Sequence, residues 1–250
     1  MKKSTKFVDF VKKQNFIKEL KLYEHIILWT ACVISLAFFI TQLVLFKDAI
    51  TDWTIWLTMF ASISSIMFLI SGSKKKIICP IIGLIGAIFL FATSWERHLF
   101  GFVIMQGCNI ATQIVTLIFW VKHSENKSTI KPKRLPLWFV LVYTAIFVGL
   151  SFAFAWMEGQ DWFYKFWSGD PHAISQPYSI RIFESLSLML IVGTFFPMIK
   201  GYSLTWWLYA MCDVTMAITW LLRALTSAEG GLVPEVFNCW STFASNICML

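Results

Sequence analysis

Eight predominantly apolar runs, each bounded by charge or turn residues, divide this 250-residue chain at 26–46, 53–70, 77–93, 99–121, 137–157, 179–199, 203–225 and 232–250. A helix rising about 1.5 Å per residue needs about 20 apolar residues to cross a hydrocarbon core about 30 Å thick. Lipid offers no water to backbone N–H and C=O groups, so each run predicts a helix and the whole predicts an all-α polytopic membrane protein with eight transmembrane helices. Composition agrees: 58% of residues are hydrophobic and only 14% are charged, too few to coat a water-soluble globule.

Basic residues resist translocation, so their placement orients the spans. Sixteen of the 21 lysines and arginines fall in the N-terminal tail, the 74–76 lysine run, the 122–134 loop and Lys200. The alternate loops hold four, Lys47, Arg97, Lys165 and Arg223, together with eight of the 14 acidic residues. Both termini are therefore expected in the cytoplasm of a bacterial inner membrane, with the 158–178 loop outside. The formal charge of +7 reports this topology and not a nucleic-acid partner. Within 1–25, Phe7, Val8, Phe10, Val11, Ile17, Leu20 and Leu22 among lysines predict an amphipathic helix on the cytoplasmic surface, and no cleavable signal peptide is read there.

Sliding the chain on itself by 129 residues pairs Gly72 with Gly201, Gly101 with Gly230 and Asn109 with Asn238. Spans two to four then fall on spans six to eight. The expected architecture is an additional helix at 26–46, a first three-helix repeat at 53–121, a cytoplasmic loop and linker helix at 122–157, the external loop, and a second repeat at 179–250. This is a 3+1+3 parallel-repeat, SWEET-like core in which span five inverts the chain between like-oriented triplets. Two like halves meet at a seam near the bilayer midplane, where a ligand is gripped and passed by rocking one half on the other. Chance recurrence of small residues gives similar matches in any polytopic chain.

Charge at mid-membrane costs about 2.5 to 3.5 kcal/mol on insertion scales, so a charged residue there faces a cavity or a partner. Glu184 lies one turn from Arg181 near the outer end of span six, where the two form either a gate or a helical ion pair. Asp213 is deeper, in span seven, with no cation within a turn. Its helical face carries Trp206, Tyr209, Met216, Ala217 and Trp220, a cage for a flat or cationic ligand, although Trp206 and Trp207 also suit an interfacial belt. In span four, Gln106, Asn109, Gln113 and Thr116 recur at spacings of three and four on one face. Span eight offers Asn238, Thr242, Ser245 and Asn246. Such stripes line a ligand path or bond helices together, at about 1 kcal/mol or less per bond.

No catalytic or metal set is read. His25, His98, His123 and His172 lie outside helix interiors, and neither H-E-x-x-H nor G-x-S-x-G occurs. The six cysteines lack zinc-ligand spacing and read as packing residues. No G-x-x-x-x-G-K-[ST] loop is present to drive pumping, and no cofactor is implied.

The order SGSKKKIICPIIGLIGAIFLF, RHLFGFVIMQGCNIATQIVTLIFW and TWWLYAMCDVTMAITWL resembles the PnuC family of bacterial transporters for vitamin-derived and nucleoside-like molecules, over roughly residues 53 to 250. Members carry a pattern near W-x2-W-x3-N on span seven, matched here by Trp206, Tyr209 and Asp213. Tyrosine thus replaces the second tryptophan and aspartate the asparagine. The resemblance implies facilitated diffusion, trapping of the imported compound by phosphorylation, a homotrimer, and a site whose other wall is Gln106, Asn109 and Gln113. Nicotinamide riboside is the expected substrate. Thiamine, a deoxyribonucleoside, or a role as a non-transporting membrane subunit are the alternatives.

Overall fold

The apolar runs fold as helices in the computed structural model, which describes residues 17–45, 51–96, 100–123, 134–168 and 177–226. After a single 3-10 turn, Ile17–Glu19, come α1 (Leu22–Leu45), α2 (Trp53–Ser73), α3 (Ile78–Glu96), α4 (Phe100–His123), α5 (Leu137–Glu158), α6 (Asp161–Ser168), α7 (Tyr178–Lys200) and α8 (Leu204–Thr226). Helices α1 to α5, α7 and α8 are the first seven expected spans. The eighth, with Asn238, and the amphipathic segment before Ile17 lie outside the described residues. Five helices, α2 to α5 and α7, are long and apolar enough to cross a membrane. The remaining two expected spans, α1 and α8, are of similar length, at 24 and 23 residues.

Where the sequence predicts an external loop, the structure places α6, eight residues long. Asp161 in its first turn and Lys165 in its last complement the helix dipole, and Trp162 stays exposed.

Packing runs in chain order, α1 on α2, α2 on α3 and α3 on α4; α7 then gathers α4, α5 and α8 around it. Burial follows this order. In α7, 56% of the most apolar window is buried, against 6% in α5. An apolar helix exposing Leu137, Trp138, Leu141, Val142, Ile146 and Leu150 is solvated by lipid.

The two hairpins α2–α3 and α7–α8 turn in the same way. At the end of α7, Gly201 adopts a left-handed φ of 74°, and the Tyr202 and Gly201 N–H groups donate to Pro197 and Met198 carbonyls at 2.8 and 3.1 Å. At the end of α2, Lys75 has φ 52°, and the Lys76 and Lys75 N–H groups donate to Ser71 and Gly72 carbonyls at 3.1 and 2.9 Å. Both are Schellman turns, which satisfy the last carbonyls of the helix. Equivalent residues lie 126 apart, so the structure shifts the register by three residues from the expected 129, and Gly201 is matched by Lys75 instead of Gly72. Glycine conservation of spacing misleads here because a lysine occupies the left-handed position. Side chains in that conformation cost about 1–2 kcal/mol. Lys75→Gly is therefore expected to stabilise the protein by about 1 kcal/mol, read as a higher thermal-unfolding midpoint in detergent; a lower midpoint would contradict the turn assignment.

Inside α7, Pro197 has no N–H to give the carbonyl of Gly193, one turn earlier. The Tyr143 hydroxyl of α5 donates to that carbonyl at 2.8 Å, and the Phe147 ring packs where a Gly193 side chain would stand, 3.2 Å away. Tyr143→Phe leaves the carbonyl without this donor, and a loss of about 1–3 kcal/mol is expected in detergent unfolding. A change within a few tenths of a kcal/mol would show that another donor takes over.

Helix ends fix α7 to its neighbours. At the N-terminal end of α7, Arg181 Nη1 donates to the Ala155 carbonyl at 3.1 Å and its guanidinium lies against Gly159, at the C-terminus of α5. The Glu184 carboxylate lies against Gly101, in the first turn of α4. Cation at a helix C-terminus and anion at an N-terminus both oppose the helix dipole favourably. At the C-terminal end of α7, Trp120 Nε1 of α4 reaches the Met198 and Ile199 carbonyls at 3.1 and 3.2 Å, and the Lys200 ammonium lies 4.9 Å from the Phe119 ring centroid.

Candidate functional site

The polar stripe on α4 follows from three- and four-residue spacing, which puts Gln106, Asn109 and Gln113 above one another on one face. Asn109 Nδ2 donates to Gln106 Oε1 at 3.4 Å, and Gln113 Nε2 donates to Asn109 Oδ1 at 3.0 Å. The stripe then crosses to α8: Gln113 Nε2 also reaches Tyr209 Oη at 3.2 Å, and Tyr209 Oη donates to Asn109 Oδ1 at 3.3 Å and approaches Met198 Sδ at 3.5 Å. These residues therefore do bond helices together, as one of the two sequence readings held. Their outer surfaces do more, because they bound a cavity of about 90 Å³.

Helix α8 gives that cavity Tyr209, Cys212, Asp213 and Met216, and α3 gives Gly83, Gly86, Ala87 and Leu90. Ser65, Phe68 and Leu69 of α2 and Ile191 of α7 complete the described walls with Met105 of α4. Asp213 is the one charged side chain among these, and no described residue hydrogen-bonds to it. Gln113 is 1% exposed, and its Oε1 is buried with no hydrogen-bond partner among the described residues. An orphaned buried acceptor costs about 1–3 kcal/mol, a penalty carried here by a side chain of the cavity wall.

Gly83 lets the walls close in. A Cβ there would stand 2.7 Å from Phe68 Cδ2 and 2.8 Å from Gln113 Cδ. Trp206 is not among the lining residues. Its indole lies on Gly72, where a Cβ would overlap it, and its ring is 5.9 Å from Phe68 and 6.2 Å from Tyr209. It thus packs against two lining rings, Phe68 and Tyr209, instead of lining the cavity itself. Arg181 and Glu184 belong to the helix-end contacts at the N-terminal end of α7 and do not line the cavity. Thr116 is buried one turn below the network, and the side chain of Trp220 lies outside the described residues.

The structure thus brings Gln106, Asn109, Gln113, Tyr209 and Asp213 to one cavity. Sequence reasoning missed the wall of α3. Its signal, Gly83 and Gly86 within IIGLIGA, was present as small-residue spacing of the kind that lets membrane helices approach closely.

A family model described as nicotinamide mononucleotide transporter matches residues 55–232, from the start of α2 to beyond α8. Among solved structures, the chain is similar to one described as the crystal structure of the vitamin B3 transporter PnuC. The TM-score is 0.60 at 19% identity, and the match covers 92% of this chain and 89% of that one. At that identity the likeness speaks for the fold. No curated protein sequence matches the chain. With long apolar helices around a cavity that carries three amides and a carboxylate, and a family match over most of its length, this chain belongs to the nicotinamide mononucleotide transporter family, PnuC, of membrane transporters.

Proposed function

We propose that the chain imports nicotinamide riboside by facilitated diffusion, through alternating access between two three-helix bundles. The observation that carries this reading is Asp213, the one acidic or basic side chain on the described walls of a cavity otherwise lined by amides, two rings, small residues and aliphatic or sulfur-bearing side chains. A fixed cation such as a pyridinium complements that carboxylate, and aromatic faces favour both its charge and its flatness. The amides of Gln106, Asn109 and Gln113 on the same walls suit a carboxamide or ribose hydroxyls. A nucleotide would bring a phosphate into a cavity whose described walls carry a carboxylate and no cation, so the nucleoside is favoured over the mononucleotide.

The two alike hairpins support the two-bundle mechanism. A cavity of 90 Å³ is smaller than the about 300–1,000 Å³ usual for ligand pockets, so entry requires the walls to part. The bias of basic residues supports a bacterial inner-membrane location with both termini in the cytoplasm. Replacing Lys74, Lys75 and Lys76 with glutamate should then disturb insertion or orientation without changing ligand affinity; unaltered accessibility labelling would count against this topology.

The same carboxylate favours a second reading, thiamine, whose thiazolium is also a flat cation. Liposomes holding the purified protein should equilibrate labelled nicotinamide riboside, with thiamine and thymidine as competitors. Competition by thiamine alone would reassign the substrate, and absence of any uptake would leave only a subunit role.

A further inference from the structure

The 126-residue register fixed by the two Schellman turns extends into the cavity walls. Gly83, Gly86, Ala87 and Leu90 of α3 lie 126 positions before Tyr209, Cys212, Asp213 and Met216 of α8, and all eight line the cavity. Packing behind the walls follows the same register. Cys212 Sγ lies 3.5 Å from the Ser187 carbonyl oxygen, and a Cβ on Gly86 would lie 3.7 Å from the Ala61 carbonyl oxygen, again 126 residues earlier in both partners. The walls are therefore equivalent in position and unlike in chemistry. In the first three pairs the α3 residue is much the smaller and carries no polar side-chain atom, while its counterpart is a tyrosine, a cysteine or an aspartate.

We infer that α3 is the seat for the flat, uncharged part of the substrate, and that Ala87, the counterpart of Asp213, is the specificity-determining position that fixes which way round the substrate sits. This rests on reading the cavity as the transport site. The α3 wall is apolar and its side chains are short, and at Gly83 the Phe68 ring and Gln113 already stand where a side chain would be. Charge and hydrogen-bonding groups lie toward α8 and α4. A molecule with a cationic ring system at one end and an uncharged face at the other has one favourable orientation between such walls, since reversing it would separate the cation from Asp213 and press polar groups on Ala87. The equivalence of the two positions adds a consequence: a carboxylate moved from 213 to 87 still faces the cavity, from the other wall.

The experiment measures nicotinamide riboside binding and uptake by the purified full chain, in detergent and in liposomes. Wild-type uptake is the control for the transport reading, and its absence would sink that reading whatever the variants do. Given uptake, Asp213→Ala is expected to lose about tenfold to hundredfold in affinity, the size of one charge-assisted contact. The double variant Ala87→Asp with Asp213→Ala is expected to recover at least a tenth of wild-type affinity. A folded double variant as weak as Asp213→Ala overturns the inference. Ala87→Leu supplies a decision should the double variant fail to fold: in protein that remains folded it is expected to lose at least tenfold in affinity by filling the seat, and wild-type affinity in that variant overturns the inference equally.

Discussion

Asp213→Ala is expected to remove saturable uptake and at the same time to make the protein harder to unfold. The two effects have one origin. The carboxylate lines a cavity whose other described lining residues are uncharged, and none of the described residues bonds to it. Holding it there without ligand costs the fold part of the desolvation of a charged or polar group, and truncation returns about 1–3 kcal/mol. Loss of its contact to a cationic substrate removes about 1.5–3 kcal/mol of binding, a tenfold or greater weakening. Paired measurements of melting temperature and dissociation constant check this directly. Wild-type affinity would remove Asp213 from the site, and a lowered melting temperature would make it a structural residue.

Gly83→Val should have the opposite sign on stability and an equally severe effect on transport. Its Cβ would meet Phe68 at 2.7 and 2.9 Å and Gln113 at 2.8 Å. Neither neighbour is free to yield. Phe68 is held edge-on by Tyr209 at 5.3 Å between ring centroids and by Trp206, and Gln113 is held by Asn109 and Tyr209. Overpacking of this kind costs about 1–3 kcal/mol, and here it also closes the cavity, so uptake should fall at least tenfold. Gly149→Ala is the matched control. That glycine lies within α5 with nothing within 4 Å of an added Cβ, and helix propensity alone predicts a gain of about 1 kcal/mol. Equal outcomes for the two glycines would show that the contacts around Gly83 do not govern its role.

Local chemistry was enough to read much of this molecule. Span positions, the polar face of α4 and the isolation of Asp213 on its own helix depend on residues within a turn or two of one another, so periodicity and length expose them. The resemblance carried by Trp206, Tyr209 and Asp213 pointed to the family that the match over residues 55–232 supports. The glycine pairs spaced by 129 do not mark equivalent positions of the two alike turns, which lie 126 apart, because one of those turns uses Lys75 in the left-handed position.

Tertiary structure decided what each residue meets. Tyr143 serves a carbonyl 50 residues away that Pro197 leaves open, Arg181 and Glu184 meet the ends of α5 and α4, and Trp206 lies on Gly72 beside the Phe68 and Tyr209 rings. Sequence alone determined the helices, because lipid requires every backbone group to be satisfied within its own segment. It left the cavity undetermined, because a glycine's part in a wall is defined by the atoms its missing side chain would strike, and those arrive from other helices.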